Sequence, residues 1–299
     1  MQDEQLRTLV AVADEGTFEA AARRLTITPS AVSQRIRALE MAVGAVVVQR
    51  SSPVRPTEVG QVLLRLGRQR MALEEEALAE LGLRSGGVDD LAVAVNADSL
   101  ATWFEDILHV AAGWPDVALH LRVEDQAHSS ALLRSGAVVA AITSDPAAVQ
   151  GCSVIQLGTM RYLPLCAPQL RERYRRGRTV DLAAMPMVRF NERDDLQEEL
   201  LRARGVRATG ALHEVPSSEA FAAAVAAGLG WGMLPVAQVR RRIDEGELVR
   251  VVRDHVADVP LHWQAWRLRT ASLEQLSGAV VTASRRALSH VRPSVRVEG

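Results

Sequence analysis

The chain has 299 residues, 48% of them hydrophobic and 24% charged, with a net charge of −1 and 35 basic residues that are all arginine. That length holds two or three domains, and the balance is that of a globular chain rather than a disordered or fibrous one. No apolar run is long enough to cross a bilayer and the N-terminus lacks the basic start of a signal peptide, so a cytoplasmic protein is expected.

Residues 4–15 read as a first helix with Leu6, Leu9, Val10 and Ala13 on one face. Phe18–Leu25 gives a short alanine-rich helix and Thr26-Ile27 a turn. Thr28 then stands as an N-cap with Pro29 at the first helical position, a strong start signal for a third helix. At about 100° per residue, Val32, Ile36 and Leu39 share one side of that helix, while Ser30, Ser33, Gln34 and Arg37 cluster on the other. Short hydroxyls, one amide and one guanidinium suit base edges in a DNA major groove, where Gln pairs with adenine and Arg with guanine. The rival reading is an ordinary αα-hairpin with a solvated polar face.

The charge distribution favours DNA. Between Arg23 and Thr57 the basic residues are Arg23, Arg24, Arg35, Arg37, Arg50 and Arg55, and Glu40 is the sole acid. Ala45–Val48 and Ser52–Arg55 fit a short β-wing, with Arg50 and Arg55 placed at backbone phosphates. Thr57 caps a long helix whose Val59, Val62/Leu63, Leu66, Leu73, Ala77 and Leu81 recur at about 3.5 residues, a seam for pairing with a twin helix. The expected divisions are a winged helix-turn-helix domain over 1–58, a dimerisation helix and hinge over 59–87, and a regulatory domain over 88–299.

After a hinge at Arg84–Gly87, strands and helices alternate: strands at 91–96, 118–124 and 138–143, with helices at 99–112 and 129–135 between them. A second alternating set runs from Arg161 to Leu268, and Leu273–Val291 closes with a helix. The fold class is therefore α/β behind an N-terminal all-α winged domain, ending in a two-lobed module like a periplasmic binding protein. Such clefts bind small molecules where strand ends meet helix starts.

Enzyme chemistry finds no foothold. There is no G-x-S-x-G elbow, Walker A loop or H-E-x-x-H pair, and the seven histidines have no partnered nucleophile. Cys152 and Cys166 are too few for a disulfide framework and lack metal-ligand spacing, so no catalytic residue, cofactor or metal is expected.

A winged helix-turn-helix, a long linker helix and a two-lobed α/β module, in that order, resemble the LysR-type transcriptional regulators. The stretches FEAAARRLTITPSAVSQRIRALE and VRPTEVGQVLL carry the likeness, which covers essentially the whole chain. VVVQRSSPVRP departs from the Leu-Phe-Arg pattern of many members, with Val47-Val48 filling the apolar role. NADSLATWF, LRVEDQ, FNERDDLQ and PSSEAF look like the branch that senses basic amino acids and controls their export (ArgP/LysG-like).

The resemblance implies an inverted-repeat operator on double-stranded DNA, a homodimer that assembles into a homotetramer, and lysine or arginine as effector. It also implies that lobe one spans about 88–160 and 268–292, and that lobe two is inserted over about 161–267. The DNA-contacting set is then Thr28, Ser30, Ser33, Gln34, Arg37, Arg50 and Arg55. A cationic amino acid needs carboxylates for its cations and N–H or hydroxyl donors for its own carboxylate. The candidates at strand ends and helix starts are Asp98, Ser99, Glu124, Asp125, Asp145, Asp194, Asp195, Ser217 and Glu219, with Phe190 to stack on a guanidinium. Each acid has a plain rival role as a cap or a solvated loop residue. An aromatic or dicarboxylic effector, a thiol sensor using Cys152 and Cys166, and an architectural DNA-binding protein remain open alternatives.

Overall fold

The computed structural model describes residues 2–49, 51–83, 88–124, 129–268 and 270–289. Arg50, Asp125 and the Arg84–Gly87 hinge lie outside the described residues. The chain opens with helices α1 (Asp3–Glu15), α2 (Phe18–Leu25) and α3 (Pro29–Val43). Each start is capped from the sequence. Thr17 Oγ1 accepts from Ala20 N at 3.1 Å, and Thr28 Oγ1 from Ala31 N at 3.2 Å. Thr26 ends α2 in the left-handed region at φ 55°, which makes the tight turn into α3. Leu6, Leu9, Val32, Ile36 and Leu39 are buried together as one small core.

The wing, β1 (Val48–Gln49) and β2 (Arg55–Pro56), is shorter than the sequence implies and shifted toward the linker. The reason lies at Val54, whose N–H bonds Gly16 O at 2.8 Å instead of the opposite strand. Helix α4 (Glu58–Glu80) follows, capped by Thr57 Oγ1, which accepts from Gly60 N at 3.1 Å. The expected seam divides between two faces. Gly60, Leu63, Leu64 and Gly67 are buried against the winged domain, whereas Val62, Leu73 and Leu81 are 55%, 50% and 69% exposed.

Lobe one contains β3 (Asp89–Val95), α5 (Ala97–Leu100), α6 (Glu105–Ala111), β4 (Val117–Val123), α7 (Ser129–Ser135) and β5 (Ala140–Thr143). The helix expected over 99–112 is broken in two. Thr102 Oγ1 donates to Asp98 O, and Trp103 and Phe104 turn into the core at the break. The chain then crosses on β6 (Cys152–Cys166), a 15-residue strand. Lobe two comprises α8 (Pro168–Arg173), the hairpin β7 (Arg175–Arg176) and β8 (Thr179–Val180), β9 (Met187–Arg189) and α9 (Leu196–Ala203). It continues with β10 (Leu212–Glu214), α10 (Ser218–Ala226), β11 (Gly232–Pro235), α11 (Val236–Asp244) and β12 (Val249–Arg250). The return crossover is β13 (Ala257–Trp266), and α12 (Ala271–Ala287) packs back on lobe one against α6.

One sheet joins the lobes in the order β11-β6-β13-β5-β3-β4, with β12 also on β6. β3 pairs in parallel with β4 and β5, while β13 runs antiparallel to β5 and β6. The register slips between Leu261 and His262, so that Leu261 faces Gly158 and His262 faces Gln156. That bulge, with Gly158 at φ 139°, bends the two crossovers where one lobe gives way to the other. The sequence places separate strands here because it cannot show that two crossovers pair with each other.

Lobe one is fastened to the linker helix. Arg68 on α4 donates Nη1 to Ser135 O at 3.1 Å and pairs through Nη2 with Asp14 of α1. A side chain at Gly136 would lie 3.1 Å from Arg65 Cα, so the glycine permits the close approach. Glu76 of α4 accepts from Ala271 N at 3.0 Å, at the start of α12.

A Cβ at Gly60 would lie 1.9 Å from Val47 O, whereas one at Gly278 on α12 would meet nothing within 4 Å. Gly60→Ala should therefore cost about 1–3 kcal/mol or more. Gly278→Ala should instead add about 0.5–1 kcal/mol from helix propensity. Denaturant melts of the two variants check the contrast.

Candidate functional site

Two surfaces carry the candidate residues. On α3 the apolar side is fully consumed by the three-helix core, which leaves Thr28, Ser30, Gln34 and Arg37 exposed and Ser33 half-buried on the opposite side. Thr28 and Ser30 hydroxyls lie 2.9 Å apart. Arg35, on the flank, is taken by Glu4 at 2.7 Å, whereas Arg37 forms no ion pair among the described residues. Arg55 stands exposed on the wing strand β2.

The second surface is a cleft of about 430 Å³ between the lobes. Its lobe-one wall comes from the carboxyl ends of three strands: Asn96–Asp98 after β3, Glu124 after β4 and Ser144 after β5. Tyr162 and Asp258 on the crossovers form its floor, and the loop from Phe190 to Leu196 with Glu199 forms the lobe-two side. Strand ends leave backbone groups and loop side chains free, which is why sites collect there.

Asp98 is half-buried and bridges the lobes. Its Oδ1 accepts from Ser218 Oγ at 2.7 Å and its Oδ2 from Tyr162 Oη at 2.8 Å. Burial pushes its carboxyl above the usual range, because neutral hydroxyls offset only part of the lost hydration. Asp194 behaves alike. Its Oδ2 accepts from Phe190 N at 2.9 Å and Gln197 Nε2 at 3.1 Å, and burial, with a smaller contribution from the charge of Asp98, raises its carboxyl. Asp258 is the exception, held by Arg161 in a two-pronged pair at 2.7 and 2.9 Å. Asp98, Glu124, Asp194, Asp195 and Glu199 form no ion pair among the described residues, so the cleft holds five carboxylates without a cation of their own.

Of the candidates read from sequence, Asp98, Glu124, Phe190, Asp194 and Asp195 line this cleft. Four others stand elsewhere. Ser99 is buried inside lobe one, one residue past the side chain that reaches the cleft. Asp145 is occupied in its own turn, accepting from Ala147 N at 2.8 Å, while Ser144 takes the lining position. Ser217 caps α10 by accepting from Ala220 N, and it borders a separate shallow cavity with Glu219 and Arg242. Helix rotation instead aims the next residue, Ser218, onto Asp98. Asn96, Tyr162, Arg193 and Glu199 escaped the sequence reading. Glu199 carried a findable signal, since it lies one helical turn beyond Asp195.

The bacterial regulatory helix-turn-helix model of the LysR family matches residues 4–61, and the LysR substrate-binding-domain model matches residues 89–289. The chain belongs to the LysR family. It is a DNA-binding transcriptional regulator of that family and not an enzyme. A LysR-family relative, the lysine export transcriptional regulatory protein LysG of Corynebacterium efficiens, is 45% identical over 285 residues, covering 95% of this chain and 98% of its own. Among solved structures, full-length LysG from Corynebacterium glutamicum with bound effector Arg superposes with a TM-score of 0.85 at 42% identity, covering 97% of this chain and 100% of that one. ArgP from Mycobacterium tuberculosis gives 0.87 at 42% identity, covering 96% and 98%. Among the described residues no group of three or more His, Cys, Asp or Glu is placed to hold a metal, and no helix is long and apolar enough to cross a membrane.

The thiols of this LysR-family chain are poorly suited to redox sensing. Cys152 and Cys166 are both buried, and burial pushes their thiols up to about 11 and about 12. Neither should react with maleimide in the folded protein at neutral pH, and both should label in denaturant. Mass spectrometry of the two samples reads the difference.

Proposed function

We propose that this regulator senses lysine or arginine in the cleft and in response alters how its winged domains hold an operator, controlling genes for basic amino acid export. The carrying observation is the set of five carboxylates without a cation in a cleft of about 430 Å³. Carboxylates drawn partly out of water without counter-charges, as at Asp98 and Asp194, are costly, and a ligand with two cationic groups offsets that cost where a neutral or dianionic one does not. Asp98, Glu124, Asp194, Asp195 and Glu199 are the proposed partners of those cations, with Phe190 beside the aliphatic stem or guanidinium. The effector Arg bound to LysG of C. glutamicum supports the same reading. A ligand of this kind acts on DNA binding only by preferring one lobe arrangement over another.

On the DNA side, α3 enters the major groove with Ser30, Ser33, Gln34 and Arg37 at base edges, Thr28 at the helix start and Arg55 at phosphate. The exposed Val62, Leu73 and Leu81 of α4 support pairing with a second copy, so that a homodimer, assembling further to a homotetramer, spans an inverted repeat.

Arg37→Ala or Gln34→Ala should cost about 1–3 kcal/mol in operator binding and relax base preference locally. Arg55→Ala should weaken all DNA sequences alike and flatten the salt slope. Binding isotherms at several salt concentrations separate the two patterns, and unchanged selectivity in Arg37→Ala would sink the placement of α3.

Effector binding is read by calorimetry against the twenty amino acids. At about 100 times its dissociation constant a ligand adds about 2.7 kcal/mol to native stability, a clear thermal shift. Asp194→Asn should weaken arginine while leaving operator binding intact. The raised carboxyls of Asp98 and Asp194 also set a pH dependence. Cations bind the ionised acids, so arginine affinity should fall, with proton release on binding, as pH drops from neutrality toward those raised values. Stability of the unliganded protein carries the opposite sign, since the fold favours the protonated acids and these groups add stability as pH falls. Tight binding of an aromatic acid or a dicarboxylate, with none of lysine or arginine, would overturn the effector assignment.

A further inference from the structure

We infer that Arg193 receives the α-carboxylate of the effector, and so makes the cleft a reader of intact amino acids rather than of organic cations in general. This rests on the reading that the cleft takes a basic amino acid. An α-carboxylate entering a cleft with five unpaired acids meets a repulsive field. Neutral donors such as Ser144 and Asn191 can satisfy its lone pairs but not its charge.

The other arginines near the cleft are already occupied. Arg161 is held by Asp258, and Arg189 is held by Glu214 and Glu198. Arg193 is the one guanidinium in the lining among the described residues, and it forms no ion pair there. Its loop is tied at both ends. Asn191 Oδ1 accepts from Arg193 N at 2.8 Å, and Asp194 Oδ2 accepts from Phe190 N at 2.9 Å and Gln197 Nε2 at 3.1 Å. A fixed turn therefore presents a two-pronged carboxylate donor directly beside a half-buried acid. Arg193 and Asp194 together match the carboxylate and ammonium that every α-amino acid carries, which leaves the remaining acids for the side-chain cation.

Agmatine has the guanidinium of arginine without the carboxylate, and it is the discriminating probe. Calorimetry on the full-length protein and on Arg193→Gln, with arginine and with agmatine, tests the assignment. The wild type should prefer arginine by about tenfold or more. Arg193→Gln should lose that preference by weakening arginine while agmatine binds as well or better, and Arg193→Lys should restore part of it. Arg193 is exposed, so its variants should melt with the wild type, which excludes a folding defect. A wild type that binds agmatine as tightly as arginine would overturn the role of Arg193 and leave the basic effector standing. So would an Arg193→Gln protein that keeps its preference. A wild type that binds neither compound, and does not bind lysine either, would overturn the basic-effector reading itself.

Discussion

The cleft is organised around Asp98, a carboxylate drawn partly out of water and held there by two hydroxyls. Ser218 comes from lobe two and Tyr162 from a crossover, so a single acid of lobe one touches every body that meets at the cleft. Its charge is under-compensated, and the same holds for Asp194 across the gap. That deficit sets what can bind: cations are drawn in, anions need an escort, and any ligand that pairs with Asp98 competes with or shares the bond that ties the lobes. Ligand chemistry and lobe geometry are thus decided at one residue.

The scaffold keeps that deficit from unravelling the fold. β6 and β13 run through both lobes as one continuous antiparallel pair, so the hinge loses no backbone hydrogen bonding beyond a single bulge at Leu261/His262. Bending is localised there because an extra residue and Gly158 tolerate changes in twist that a regular ladder resists. One buried cluster runs from lobe one through the crossovers into lobe two, and a second lies within lobe two.

Much of this was legible in the sequence because it depends on local chemistry. Thr28-Pro29 and Thr57 fix helix starts wherever they occur, and the burial of Val32, Ile36 and Leu39 follows from their spacing alone. The alternation of strands and helices after residue 88 gave the α/β order, and the acids at strand ends and helix starts gave Asp98, Glu124, Asp194 and Asp195 of the cleft lining. What escaped was decided by distance along the chain. Ser218 meets Asp98 across 120 residues, and Tyr162 meets it across 64. Nothing near Ser217-Ser218 says which hydroxyl caps the helix and which crosses the gap. Likewise Ser99 and Asp145 sit one residue from lining positions, an offset that strand and helix periodicity cannot resolve at a loop. The seam on α4 reads as one stripe although Leu63 and Leu66 pack with the winged core, since periodicity does not reveal which of two partners a face meets.

Arg68 gives the molecule its mechanical character. One guanidinium clasps Asp14 of the winged domain and the Ser135 carbonyl of lobe one, with Gly136 and Glu76 closing the same seam. The winged domain, the long helix and lobe one are therefore joined through one set of contacts in which lobe two takes no part. A movement of lobe two that left those contacts intact would leave the reading head of its own subunit where it was. Such a movement would have to reach the operator through a neighbouring subunit, and a solitary copy would then bind its effector in silence. Hearing belongs to the assembly.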